Sequence, residues 1–186
     1  MSNHRVASRY AKSILELALE KGVLEEVHAD FQKLSAIAKS NSDLGFALKN
    51  PVLSSDKKLK VLKSLFAEGG QAMTLTFFEI VSRKNREAVL LDVAKEFEAQ
   101  YNLHKSIQVA YLTTTFPVDD AMRSEFGRIV KEISGLKTVQ LVEKVDPNLI
   151  GGFILKVNDR QLDESLSSKL RILKMEFQEN HYESKI

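Results

Sequence analysis

The sequence has no cysteine and no tryptophan, only three prolines and eight glycines in 186 residues, and no surplus of either charge, with 27 Lys and Arg against 25 Asp and Glu. Each absence removes a class of protein. Without cysteine there is no disulfide framework, thiolate metal site, iron–sulfur cluster or cysteine nucleophile. Little proline and glycine, beside 44% hydrophobic and 28% charged residues, excludes collagen-like and disordered chains and describes an ordinary globular composition. A net charge of +2 is far from the concentrated positive field of a dedicated nucleic-acid binder. The longest uninterrupted apolar run, 149–155, contains two glycines and falls well short of the ~20 residues that span a bilayer. The opening MSNHRVASRYAKS has no apolar core followed by small residues, so neither a secretory signal nor a cleaved presequence is expected, and cytoplasmic placement is the default.

What is present up to about residue 105 is helical periodicity, with apolar residues at spacings of three and four. The pattern predicts helices over 5–21, ended by Gly22; 23–40, ended by Asn41; 42–49, stopped by Asn50-Pro51; 57–68, capped by Asp56 and ended by Gly69-Gly70; 71–84; and 86–104. Past Lys105 the period changes to two. Ile107-x-Val109-x-Tyr111-x-Thr113 reads as a half-buried strand, Asp119 can cap a helix over 120–134 that Gly135 ends, and Val139-x-Leu141-x-Glu143-x-Val145 reads as a second strand. A third strand is expected over 153–157, and the turn Asn158-Asp159-Arg160 can fold back a short fourth. Asp163 can then cap a closing helix over 164–178. The predicted fold class is mainly α with a smaller α+β part: an all-helical domain at 1–105 and a small α+β domain at 106–186.

Reactive constellations are not found. His4, His28, His104 and His181 lie far apart, without the paired spacing of a zinc site. Gly151-Gly152 opens onto the strand FILKV rather than a helix N-terminus, which argues against a phosphate cradle. The acidic pairs Asp119-Asp120 and Asp163-Glu164 sit where helices begin, so capping accounts for them without catalysis. Ser165, Ser167 and Ser168 have no histidine near them in sequence. Lys57, Lys58, Lys60 and Lys63 form a basic helix face that is either solvated or docks an acidic partner or lipid headgroups. The aromatic residues follow the core period rather than forming exposed stacking platforms beside basic residues. No catalytic, cofactor-binding or metal-binding residue is expected.

One pattern exceeds what a simple bundle needs. At about 100° per residue, Val6, Ala7, Tyr10, Ala11, Ile14, Leu15, Leu17, Ala18 and Leu19 of the first helix cover an arc of roughly 220°. Met73, Leu75, Phe77, Phe78, Ile80 and Val81 of the fifth cover a similar arc of roughly 220°. Either these helices are central in their domain, or they share a groove filled by another amphipathic helix.

The stretch VDPNLIGGFILKVNDRQLDESLSSKLRILK from Val145 resembles the C-terminal signature of the F-type ATP synthase delta subunits, the bacterial counterparts of the mitochondrial oligomycin sensitivity conferral protein. The matching residues are Asp146, Pro147, Leu149, Ile150, Gly151, Gly152, Asp163 and Ser165, all read as structural. Ala7-Ser8-Arg9-Tyr10-Ala11-Lys12, followed by Leu15-Glu16-Leu17-Ala18, is likewise similar to the family's opening. Tyr111-Leu112-Thr113-Thr114 replaces a commoner small Ser-Ala, and Asn158 stands where glycine is frequent, which leaves local turn geometry open.

The resemblance implies a six-helix bundle followed by a small α+β domain. It also implies a non-catalytic stator role, in which one copy per enzyme joins the catalytic α/β head to the peripheral stalk on the cytoplasmic face of the membrane. Membrane association would then be held through partners alone. The bundle is expected to hold the N-terminal helix of an α subunit between its first and fifth helices, with Tyr10, Ala11, Ile14, Phe77, Phe78 and Val81 as apolar anchors. The second domain is expected to receive the C-terminal ends of the stalk b subunits. Leu166, Leu170 and Leu173 of the last helix form a stripe that could serve either that contact or, as favoured, mostly the domain core. The competing readings are a free-standing adaptor for another amphipathic helix and a small RNA-binding protein.

Overall fold

The computed structural model describes residues 3–67, 69–136 and 138–178. The chain divides into two compact units, Met1–His104 and Lys105–Ile186, and is mainly helical with one small sheet in the second unit.

In the first unit the helices are α1 (Asn3–Lys21), α2 (Leu24–Ser40), α3 (Ser42–Lys49), α4 (Ser55–Leu65), α5 (Ala72–Arg83) and α6 (Leu90–His104). Their ends follow local chemistry. Gly22 adopts φ +68° and returns its N–H to the Leu19 carbonyl, and the Val23 N–H bonds the Ala18 carbonyl, so α1 stops there. Asn41 serves two helices: its N–H donates to the Ile37 carbonyl at 2.8 Å, and its side-chain oxygen accepts from the Asp43 N–H at 2.9 Å.

Two helices of this unit depart from expectation. The fourth helix begins at Ser55, so Asp56 lies in its first turn and favours the helix dipole instead of capping. That helix also ends at Leu65, because Phe66 turns into the core and the Gly70 N–H closes back on its carbonyl at 3.1 Å. The sixth helix does not run from Arg86. Asn85 takes φ +51°, a 3-10 turn at Glu87–Val89 follows, and α6 starts only at Leu90.

Aromatic rings hold the interior together. Phe31 of α2 stacks on Phe97 of α6 at 4.6 Å between centroids, meets Phe77 and Phe78 of α5 edge-on, and Phe78 packs on Phe66 at 5.4 Å. Tyr101 stacks on His28 at 3.7 Å and donates its hydroxyl to Glu25 at 2.7 Å. Burial, with this carboxylate as the second cause, pushes the Tyr101 phenol up to about 12.

In the second unit, β1 (Ile107–Thr114), α7 (Asp120–Ser134), β2 (Thr138–Val145), β3 (Phe153–Val157), β4 (Arg160–Asp163) and α8 (Leu166–Gln178) form a sheet of order β2-β1-β3-β4 with two helices. β1 and β2 are parallel and joined through α7, while β1–β3 and β3–β4 are antiparallel. Asp119 caps α7, accepting from the Met122 N–H at 2.7 Å, and Gly135 closes it at φ +71°. Ala110, Leu112, Val130, Leu155 and Val157 form the core, with Phe126 and Ile129 of α7 packed on it. Both parities of β1 carry apolar residues, and the core under α7 takes the one with Ala110 and Leu112. The buried positions are therefore Gln108, Ala110, Leu112 and Thr114 rather than Ile107, Val109, Tyr111 and Thr113. Asn158 substitutes for glycine in the hairpin by adopting φ +52°, and its amide exchanges two hydrogen bonds with the amide of Gln108.

The Asp146–Gly152 segment ties β2 to the start of β3. The Asp146 N–H donates to the Thr114 carbonyl at 2.8 Å, its carboxylate accepts from the Asn148 N–H, and Pro147 opens a 3-10 turn that buries Leu149. Ile150 then takes φ +66° and ψ −37°, a strained conformation for a β-branched residue, with its side chain 65% exposed. Ile150→Gly is accordingly expected to stabilise the protein by about 1 kcal/mol, read as a higher urea midpoint with unchanged slope.

The last helix starts two residues later than expected, and both Asp163 and Ser165 serve its cap. Asp163 ends β4, and α8 starts at Leu166 with Ser165 as its capping residue, the Ser168 N–H reaching Ser165 Oγ at 3.3 Å. Asp163 supports that cap from behind, accepting from Ser165 Oγ at 2.6 Å, Ser168 Oγ at 2.7 Å and the Ser165 N–H at 3.0 Å. The hydroxyl of Ser165, then that of Ser168, then the Ser165 amide hold its carboxyl below the usual range. A folded pKa below the unfolded one gives stability that is present above the unfolded value of ~3.9 and is lost as pH falls through the folded value. Asp163→Asn should therefore weaken the protein at neutral pH. Its urea midpoint should also decline less than that of the wild type between roughly pH 5 and pH 2.

Candidate helix-binding groove

Residues 10, 14, 17 and 21 of α1 recur at spacings of four, three and four, so they share one stripe, and Met73, Thr76, Phe77 and Ile80 form the facing stripe on α5. Between them lies a groove of about 470 Å³, lined from α1 by Tyr10, Ser13, Ile14, Leu17 and Lys21, with Val23 just beyond, and from α5 by Ala72, Met73, Thr76, Phe77 and Ile80, with Gln71 at its entrance. The lining is mostly apolar. Leu17 is 41% and Ile80 48% exposed, whereas Ile14 and Phe77 are buried and form the floor. The Tyr10 ring meets Phe77 edge-on at 6.1 Å. Past Tyr10, a second hollow of about 360 Å³, lined by Val6, Arg9, Tyr10, Ser13 and Arg86, extends the groove.

Of the residues singled out from sequence, the structure brings Tyr10, Ile14 and Phe77 together in this lining. Ala11, Phe78 and Val81 are placed elsewhere, fully buried on the inner faces of the same helices. Leu17, Met73 and Ile80 line the groove although they were not chosen as anchors. The breadth of the apolar arcs contained them, but an arc alone does not say which edge faces the interior.

The second unit has a different apolar surface. No residue of α8 is buried, and Leu166, Leu170, Leu173 and Phe177, spaced by four, three and four, are each about half exposed or more. The expectation that this stripe mostly serves the core is thus corrected: the α8 start packs on the Pro147–Leu149 turn, and the rest of the stripe is open.

Among the described residues no group of three or more His, Asp or Glu is arranged to hold a metal ion, and no helix is long and apolar enough to cross a membrane.

Comparison with known proteins gives a consistent picture. A family model described as ATP synthase delta (OSCP) subunit matches residues 6–177. The ATP synthase subunit delta of Cytophaga hutchinsonii is 38% identical over 96% of this chain and 97% of its own length. That of Amoebophilus asiaticus is 36% identical over 95% and 96%, and the chloroplastic ATP synthase delta chain of Chlamydomonas reinhardtii is 32% identical over 90% and 77%. A chain of the Toxoplasma gondii mitochondrial ATP synthase hexamer shares the fold, with a TM-score of 0.71 at 22% identity, covering 92% of this chain and 97% of that one.

Proposed function

The chain belongs to the ATP synthase delta (OSCP) subunit family, whose members are structural and not catalytic, and from that premise we propose how its two units do stator work. The first unit acts as a six-helix bundle that holds the N-terminal helix of one α subunit in the groove between α1 and α5. The second unit receives the C-terminal ends of the b subunits of the peripheral stalk, through the open stripe of α8. Joined in this way, the catalytic head cannot turn with the rotor, and proton flow is coupled to ATP synthesis. The protein is peripheral, on the cytoplasmic face of the membrane, and is held there by these partners.

The observation that carries the groove assignment is the exposed apolar lining. Leu17, Met73 and Ile80 edge a channel whose floor is Ile14 and Phe77, the form in which an amphipathic helix inserts anchors at i, i+3, i+4 and i+7. The proposed roles of the six anchor residues divide accordingly. Tyr10, Ile14 and Phe77 touch the inserted helix, and Ala11, Phe78 and Val81 fix the spacing of the two walls from inside. Titration of the full chain with a labelled peptide of the α-subunit N-terminus tests this: saturable binding with one peptide per chain is expected, and absence of binding at high micromolar peptide would contradict it.

A further inference from the structure

Among the described residues, the cavities along the groove are lined by three cations, Arg9, Lys21 and Arg86, and by no carboxylate. Two of the cations, Arg9 and Arg86, line the same hollow at the Tyr10 end. Arg86 is held in place there: its Nη1 donates to the Tyr10 hydroxyl oxygen at 3.2 Å, and its guanidinium lies 6.0 Å from the Tyr10 ring centroid. Among the described residues neither Arg9 nor Arg86 forms an ion pair. Other exposed cations of this unit do find carboxylates, such as Lys63, which binds Glu79 at 2.6 Å.

An oriented guanidinium with open donors, a second guanidinium beside it and a hydroxyl that still has its own proton to give form a site for a carboxylate. We propose that Arg86, Arg9 and Tyr10 clasp an Asp or Glu side chain of the helix that fills the groove, and so fix where along α1 that helix comes to rest. The apolar floor by itself would tolerate a shift of one turn, since its anchors repeat every three or four residues. The clasp supplies the missing stop. Lys21 marks the other end, 12 residues along α1 from Arg9, or about 18 Å at 1.5 Å per residue. A second carboxylate of the partner, about three turns from the first, fits there.

This inference rests on the groove reading, and the test separates the two. The full chain is titrated with the labelled α-subunit N-terminal peptide at several salt concentrations, for wild type, Arg86→Gln, Arg9→Gln and Leu17→Asp, each first shown by circular dichroism to be folded. Arg86→Gln is expected to weaken binding about tenfold and to flatten its salt dependence, as loss of one charge-assisted contact requires. Replacing the acidic residues of the peptide one at a time by their amides should locate one whose loss is not additive with Arg86→Gln. If Leu17→Asp abolishes binding while Arg86→Gln, Arg9→Gln and every peptide amide change it less than twofold, the clasp is wrong and the groove stands. If Leu17→Asp has no effect, the groove reading itself fails.

Discussion

The double variant Leu17→Asp, Ile80→Asp is expected to fold as the wild type does and to bind the α-subunit N-terminal peptide at least ~100-fold more weakly. Both side chains line the groove and both are more than one-third exposed, so a carboxylate at either position stays hydrated in the free protein. Once a helix is seated, each carboxylate would be covered by apolar surface. Buried contacts at the centre of an interface are worth about 2–4 kcal/mol each on truncation, and an unpaired charge there opposes binding further. Two such changes on opposite walls give the expected loss. Phe77 would be a poorer choice, because it also packs on Phe31 and its replacement loosens the interior. Fluorescence anisotropy with the labelled peptide reads the affinity, and an unchanged urea midpoint shows that the fold was kept.

Gly152→Ala is expected to be the most damaging single methyl in the second unit, destabilising it by about 3 kcal/mol or more. Gly152 has φ +76°, and a Cβ there would collide with the Glu164 carbonyl oxygen and meet Ser165 Cα, backbone atoms that have no rotamer to yield. The same close approach carries the hydrogen bonds that dock α8: the Glu164 N–H to the Phe153 carbonyl and the Leu166 N–H to the Gly151 carbonyl, both at 3.0 Å. Gly151→Ala should cost less, since its Cβ would meet the Leu166 side chain, which can rotate away. Gly22→Ala is a control for backbone conformation alone: φ is +68° with nothing within 4 Å, so about 1 kcal/mol is expected. Amide exchange at Glu164 and Leu166 measures the effect locally, independently of the first unit. Protection there equal to wild type in Gly152→Ala would refute the packing account.

Legibility from sequence followed the range of the forces involved. Signals that act within a few residues were clear: Gly22, Asn41, Asp119 and Gly135 mark helix ends by capping or left-handed chemistry written in their own side chains. Where an end is set by a distant contact, no local residue marks it. α4 stops three residues early because Phe66 finds Phe78, and α6 starts late because Glu87 is drawn inward towards Lys58 at 4.0 Å. The parity of β1 has the same origin, since both of its faces carry apolar residues and contact with α7 favours that of Ala110 and Leu112. For the groove, amphipathic breadth on two helices points to α1 and α5, between which a mostly apolar hollow lies. That breadth did not separate Ala11, Phe78 and Val81, which face inward, from Leu17, Met73 and Ile80, which face the channel, because that depends on how each helix is rotated against α2 and α6. The role of Arg86 has no local signal: 76 residues separate it from Tyr10, and only folding joins them.

In the proposed stator role, the chain resists torque through the groove between α1 and α5. The most direct measurement is proton-driven ATP synthesis by membranes stripped of this subunit and reconstituted with the purified full chain. Wild type is expected to restore proton-driven synthesis, and the Leu17→Asp, Ile80→Asp variant to restore little or none. Full coupling restored by that variant, folded and at the same concentration, would contradict the account.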